Sequence, residues 1–149
     1  MNKKTLFNLN DVLELLGLYS LCFGTNLFLD GIQKVKINSI LLQDLLDDVI
    51  KYQVVLSLSM TLVVVVFHYR FLLMKRQEIY LKLLVGDTVK KIRQRYLANC
   101  FGILGSAVIL VSMIGFSLSL NVYPIAGLTL LFSAYILISS LGEMWYEGF

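Results

Sequence analysis

The stretch that decides the fold is LANCFGILGSAVILVSMIGFSLSLNVYPIAGLTLLFSAYILISSL, residues 97–141, which contains no charged residue. A membrane-spanning helix needs about 20 predominantly apolar residues, so this stretch is long enough for two. The short break Ser119-Leu120-Asn121 divides it, and Pro124 falls in the first turn of the second half, where its missing N–H costs little. The sequence therefore predicts spans over 97–120 and 122–141, joined as an antiparallel hairpin.

Two further segments, 12–29 and 52–74, are also apolar enough to span a bilayer. Of the 149 residues, 58% are hydrophobic and 15% are charged, and the mean hydropathy is +0.77. About a quarter of the residues of a soluble domain are charged, and a domain of this size leaves much of its surface in water. The composition argues against a soluble globular enzyme, a disordered chain and a disulfide-stapled chain.

We therefore predict an all-α integral membrane protein with four transmembrane helices, forming a single membrane domain over 1–149. Between and after the spans lie an outer segment, an inner segment and a C-terminal tail, over 30–51, 75–96 and 142–149.

A signal peptide is the alternative for the first span, because Lys3 and Lys4 resemble its basic region. However, polar residues such as Asp11 and Glu14 interrupt the apolar run, and no small-residue cleavage site follows. We expect a retained span, with Glu14 reaching headgroup water.

The basic residues determine the predicted orientation. Of the 13 Lys and Arg residues, ten lie before the first span or between Arg70, near the inner end of the second span, and the third span, whereas Lys34, Lys36 and Lys51 lie in the outer segment. Because Lys and Arg are enriched in cytoplasmic loops, both termini and segment 75–96 are expected to be cytoplasmic. The aromatic residues expected at the inner interface are Tyr69, Tyr96, Trp145 and Tyr146. Topology accounts for the positive charge, so we expect no nucleic-acid partner.

The outer segment contains apolar residues at helical spacing, preceded by Asn38 or Ser39 as a possible N-cap. Two placements are open. The helix could continue through the second span to Met74 and stand outside the membrane as a short stalk, or it could lie flat on the outer leaflet.

The inner segment is predicted to be a helix, a tight turn and a second helix. Residues 75–85 form the first helix, in which Glu78 and Lys82 are an i,i+4 pair in the favourable order. Gly86 follows at a position that requires a left-handed conformation. Asp87 or Thr88 then caps a helix that continues into the third span. Such a compact element beneath the membrane can receive a push from a cytoplasmic partner.

This segment resembles the FtsX/MacB-like permease family of ABC transporters. The family signature is similar to R-x-E-I-x-x-x-K-x-x-G-[AS]-[ST], and the chain reads RQEIYLKLLVGDT over 76–88, followed by Ile92. The third span carries Gly102 and Gly105, where the family is also glycine-rich. The resemblance covers the four-span layout, and its motif is confined to 76–92.

The resemblance implies a cytoplasmic coupling helix between the second and third spans, in a bacterial cytoplasmic membrane. A second permease, identical or different, would pair with this chain, and a separate ATPase subunit would hold ATP and Mg. ATP-driven motion would then export an amphipathic, peptide- or lipid-like substrate, or transmit force across the membrane. The residues that the resemblance assigns to ATPase coupling are Arg76, Glu78, Ile79, Lys82, Leu83, Leu84, Gly86, Asp87 and Thr88.

The chain departs from the family at three places. Ala98-Asn99-Cys100 stands where the family often has a Glu, and Asp87 stands where a small residue is usual. The large extracytoplasmic domain is replaced by residues 30–51. The docking of partners that the family assigns to that domain therefore does not carry over.

The chain has no Gly-rich phosphate loop of the G-x-x-x-x-G-K-[ST] kind and no catalytic constellation, so we expect no enzymatic activity and no cofactor of its own. The alternative function is that of a small non-ABC accessory or immunity membrane protein. A membrane enzyme is a third class, for which the spans offer few polar residues.

Other residues have plainer interpretations. The basic residues Lys90, Lys91, Arg93 and Arg95 are predicted to anchor the chain at the lipids of the inner leaflet, with direct contact to the ATPase as the alternative. Small residues are predicted to pack helices closely, within one chain or between two: Gly17, Ser20, Gly24, Ala98, Gly102, Gly105 and Ser106. The single histidine, His68, lacks partners for a metal site and is expected at an interface or in helix packing. Cys22 and Cys100 are expected to be buried thiols.

Overall fold

The computed structural model describes residues 7–34 and 39–145, with side chains as far as residue 142. Within these ranges the regular structure is entirely helical, in the order α1 Leu9–Lys34, α2 Ile40–Lys51, α3 Gln53–Leu84, α4 Val89–Ser117 and α5 Tyr123–Trp145. Four of these helices are long and apolar enough to cross a bilayer, namely α1, α3, α4 and the Tyr123–Gly142 part of α5. The predicted all-helical class with four apolar spans is therefore confirmed, and it is compatible with a multi-pass membrane protein.

The helix α3 is longer than a bilayer requires. Its 32 residues correspond to about 48 Å at 1.5 Å per residue, against about 30 Å of hydrocarbon. It runs through Met74 and Lys75 without a break. The segment predicted from residue 75 onward is therefore the end of α3 rather than a separate helix.

The helix predicted from residue 39 to Met74 is interrupted at Tyr52, which separates α2 from α3. Backbone bonds still pass on both sides of it, from the Tyr52 N–H to the Asp48 carbonyl (3.2 Å) and from the Leu56 N–H to the Tyr52 carbonyl (2.9 Å). None of the side chains of α2 is buried. The stalk and the flat placement both stay predictions.

The helix α1 is central, since it contacts α3, α4 and α5. It runs parallel to α4, because Phe7 stacks edge-on against Tyr96 at one end (6.1 Å between centroids) and Leu27 meets Gly115 at the other. Apolar and aromatic side chains of α1, α3, α4 and α5 form one continuous core.

The chain reverses between α4 and α5 through a C-terminal cap. The Leu120 N–H donates to the Gly115 carbonyl (2.9 Å) and the Ser119 N–H to the Phe116 carbonyl (3.2 Å), with Ser119 at φ +54°. This pair of bonds is a Schellman motif, here formed without glycine. The helix ends at Ser117, before the predicted boundary at Leu120, because the cap uses these residues to turn the chain.

Candidate functional site

The turn at Gly86 connects α3 to α4 and has the geometry that the sequence predicts. The Asp87 N–H donates to the Lys82 carbonyl and the Gly86 N–H to the Leu83 carbonyl, both at 3.1 Å. Gly86 has φ +99°, a conformation that costs other residues free energy. Thr88 is the N-cap of α4, although its side chain makes no capping hydrogen bond.

Three apolar side chains next to this turn are exposed: Leu81 at 61%, Leu84 at 67% and Val85 at 89%. We call these three residues the apolar tip. By contrast, Ile79 and Leu83 pack against the core. The predicted coupling residues therefore fall into two groups. Ile79 and Leu83 lie on the side of α3 that packs against the other helices, whereas Leu84 lies on the exposed side.

An ion-paired cluster lies behind the tip. Lys75 Nζ is 2.7 Å from Asp11 Oδ2 and 3.0 Å from Glu78 Oε2, and Lys82 Nζ is 3.1 Å from Glu78 Oε1. The Lys75 side chain is only 11% exposed. The Glu78–Lys82 pair was predicted, whereas the Lys75–Asp11 pair, which joins α3 to the start of α1, was missed because its members are far apart in sequence.

Asp87 stands where the resembled family usually has a small residue, and its ion pairs connect the turn to α4. Its carboxylate lies 3.3 Å from Arg95 and 3.9 Å from Lys91. Of the residues predicted to anchor the chain to lipid, Lys90 and Lys91 are exposed, while Arg93 and Arg95 are partly buried. Arg95 and Lys91 therefore also fix the turn. We call the end of the bundle that carries this turn and Lys75 the basic end.

Arg76 is not one of the residues of the apolar tip. It lines an open groove between α3 and α5, together with Tyr69 and Ser139. Among the side chains that the structure describes, no carboxylate lies within ion-pair distance of its guanidinium. The resemblance assigns Arg76 to the coupling surface; the structure shows that it lines this groove, and its role in coupling stays a prediction.

A hydrogen-bonded network occupies the centre of the bundle around His68, whose side chain is 1% exposed. Its Nδ1 lies 3.2 Å from the hydroxyl of Tyr19 and its Nε2 lies 2.9 Å from that of Tyr96, which is 3.2 Å from Ser139 Oγ. The Tyr135 ring packs edge-on against the imidazole at 5.3 Å. These five residues, which we call the His68 network, join all four spans.

The His68 network confirms the helix-packing interpretation of His68. Tyr96 is 4% exposed inside the bundle, and its predicted depth at the inner interface of the membrane stays a prediction. Burial of polar groups requires partners, and the imidazole provides one for each tyrosine hydroxyl. No group of three His, Cys, Asp or Glu residues able to hold a metal occurs in the described part of the chain.

The predicted small-residue faces do not bring backbones together within this chain. A Cβ built at Gly17, Gly24, Gly102 or Gly105 would meet nothing within 4 Å. The close approach occurs instead at Gly115, where a Cβ would lie 2.8 Å from Leu27 Cδ1.

Two shallow grooves between α1 and α4 contain most of the small residues. One, of about 440 Å³, is lined by Ser20 and Gly24. The other, of about 300 Å³, is lined by Ala98, Gly102 and Ser106. Packing between two chains at this face stays a prediction.

The last residues considered in the sequence analysis are the two cysteines and Glu14. Cys22 and Cys100 are free and buried, as predicted. Glu14 is exposed, and its expected contact with headgroup water stays a prediction.

Comparison of the chain with protein-family models, with curated proteins and with solved structures gives no match.

Proposed function

We propose that this chain is the membrane-spanning permease subunit of an FtsX/MacB-like ABC transporter, coupled at its basic end to a separate ATPase subunit. The observation that carries the proposal is the apolar tip beside the Gly86 turn. Exposed apolar side chains rimmed by charged residues are typical of protein contact sites, and here they stand at the end of the longest helix.

The position of the tip supports contact with a partner outside the bilayer. The charge-free part of α3 ends before Arg70, and the helix continues past Lys75, Arg76, Glu78 and Lys82 to Leu84. The ten residues from Lys75 to Leu84 span about 15 Å. A partner that covered the apolar side chains beyond this charged segment would remove them from water. This burial would stabilise the complex by about 25 cal/mol per Å² of buried apolar surface.

The internal contacts of α3 support the transmission of motion. Near the tip, Lys75 binds Asp11 of α1. At mid-length, His68 bonds Tyr19 of α1 and Tyr96 of α4. A push on the tip would therefore act on several spans together, because the interior of a packed bundle transmits displacement.

In this proposal the chain pairs with a second permease, identical or different. The open grooves between α1 and α4, with their small residues, favour that face for the pairing, since transmembrane helices associate through such residues. ATP and Mg are held by the ATPase. The work serves to export an amphipathic substrate or to transmit force across the membrane.

The test is purification of the tagged chain from its native membrane in mild detergent. We expect a subunit with a phosphate-binding loop to accompany it, identified by mass analysis, and the complex to hydrolyse ATP. The variant Val85→Asp, which puts a charge into the apolar tip, should lose that subunit. The control Gln94→Asp adds the same charge at an exposed position of α4 away from the tip and should retain it.

Two results would reject the proposal: no nucleotide-hydrolysing subunit accompanies the chain, or Val85→Asp retains it as fully as Gln94→Asp does. The first result, together with function of the chain in the absence of any ATPase, would establish the alternative of an accessory or immunity membrane protein.

A further inference from the structure

The groove between α3 and α5 at the basic end contains a charged side chain, Arg76, that has no carboxylate within ion-pair distance among the side chains that the structure describes. Its volume is about 500 Å³, within the range of pockets that hold a small ligand. Tyr69, Leu73 and Arg76 of α3 form one wall, and Ile138, Ser139 and Gly142 of α5 form the other.

The walls of the groove are amphipathic along α3. Arg76 lies towards the end of the helix, whereas Leu73 lies one turn closer to the middle, beside Ile138 of α5. The guanidinium has no carboxylate within 4 Å among the described side chains, in contrast to Lys75, which has two. A cation above an apolar slot matches an anion that carries a hydrocarbon chain.

We propose that this groove binds one anionic phospholipid molecule. The phosphate lies against the Arg76 guanidinium, which can form two parallel hydrogen bonds to it, and the Tyr69 hydroxyl is a second donor. One acyl chain follows Leu73 and Ile138. Basic pockets between transmembrane helices are known to bind anionic headgroups on the cytoplasmic side of membranes.

A lipid fits the groove better than a soluble phosphate does. The groove is open and lies between two apolar spans, so a lipid can enter it sideways from the bilayer. Its Tyr135 and Ser139 walls belong to the His68 network. A bound lipid would therefore rest against the residues that join the four spans.

The test is native mass spectrometry of the purified chain, after incubation with equal amounts of phosphatidylglycerol or phosphatidylcholine. We expect one phosphatidylglycerol to be retained at several-fold higher occupancy than phosphatidylcholine. The variant Arg76→Gln should reduce phosphatidylglycerol binding about tenfold, the effect of losing a charge-assisted contact. The control Arg70→Gln removes an exposed cation of the same helix that does not line the groove, and it should leave binding unchanged.

A second variant tests the acyl-chain slot independently of charge. A Cβ at Gly142 would meet none of the described atoms within 4 Å, so Gly142→Leu should fill the groove without disturbing the fold. We expect it to remove the bound phosphatidylglycerol while leaving Arg76 in place. A competition with 50-fold excess inorganic phosphate should not displace the lipid, because phosphate lacks the chain.

Several results would overturn the inference. These are equal retention of the two lipids, unchanged binding in Arg76→Gln or in Gly142→Leu, and displacement by inorganic phosphate. None of these measurements requires an ATPase, so the lipid site and the proposed transport function can be rejected independently of each other.

Discussion

At Gly86 the backbone conformation restricts which amino acid can occupy the position. Its φ of +99° is open to glycine, and side chains with a Cβ are strained there. The residue has open space around it, so the constraint comes from its own backbone conformation and not from contact with neighbouring side chains.

We expect Gly86→Ala to lower the free energy of unfolding by about 1–2 kcal/mol, the cost of a left-handed conformation for a residue with a Cβ. Thermal or denaturant unfolding in detergent, followed by circular dichroism, measures this change. The control Gly127→Ala changes a helical glycine that also has open space, and it should be neutral or slightly stabilising. Equal stability of the two variants would contradict the role assigned to the turn.

His68 is the residue on which the centre of the bundle depends. We expect His68→Phe to lower the free energy of unfolding by about 1–2 kcal/mol, because the buried Tyr19 hydroxyl loses its bond to the imidazole.

The double variant His68→Phe with Tyr19→Phe should recover part of that loss, since removing both partners leaves no unpaired hydroxyl. Unfolding measurements on the two single variants and the double variant give the coupling between these residues. Purely additive effects would mean that the 3.2 Å contact contributes no stability.

At the scale of the helices, α3 is the element that connects the His68 network to the apolar tip. Its buried residues lie between Val64 and Lys75, and its last turns carry the ion-paired cluster and the apolar tip. Lys75 ties these last turns to α1, and its Nζ also lies over the Phe71 ring, 5.9 Å from the centroid.

Asp11→Asn should weaken this tie by about 1–3 kcal/mol, because the change leaves the largely buried Lys75 with one ionic partner fewer. Hydrogen–deuterium exchange should show faster opening at the start of α1, with little change in α5. The control Asp44→Asn alters an exposed carboxylate of α2 and should leave exchange in α1 as it was. Unchanged protection of α1 in Asp11→Asn would contradict the assigned tie.

At the scale of the whole molecule, the two ends of the bundle differ in chemistry. The basic end carries the charged cluster and the Gly86 turn, while the other end carries α2 and the short connection before α5. The four spans bring these ends to opposite sides of a bilayer in the predicted arrangement.

Cysteine labelling in intact cells tests that arrangement. Both native cysteines are buried, so a membrane-impermeant maleimide should react only with an introduced, exposed thiol. We expect Tyr123→Cys, at a position that is 85% exposed, to react from outside, and Gln94→Cys, at an exposed position away from the apolar tip, to react only after the membrane is permeabilised. Labelling of Gln94→Cys in intact cells would reverse the orientation and remove the basis for ATPase coupling.

The sequence by itself determined the features that depend on local signals. The charge-free run 97–141 and the two other apolar segments required four spans, and Gly86 determined the turn after α3, because length, hydropathy and backbone conformation are properties of neighbouring residues. The pairing of Glu78 with Lys82 was predictable for the same reason, since both lie on one face of one helix.

Only the tertiary structure decided which faces of the spans meet. A helix in lipid is apolar both towards its neighbours and towards the bilayer, so hydropathy does not indicate its rotation. The meeting of His68 with Tyr19 and Tyr96, the pairing of Lys75 with Asp11, and the position of Arg76 at the groove all depend on that rotation, and none leaves a local trace in the sequence.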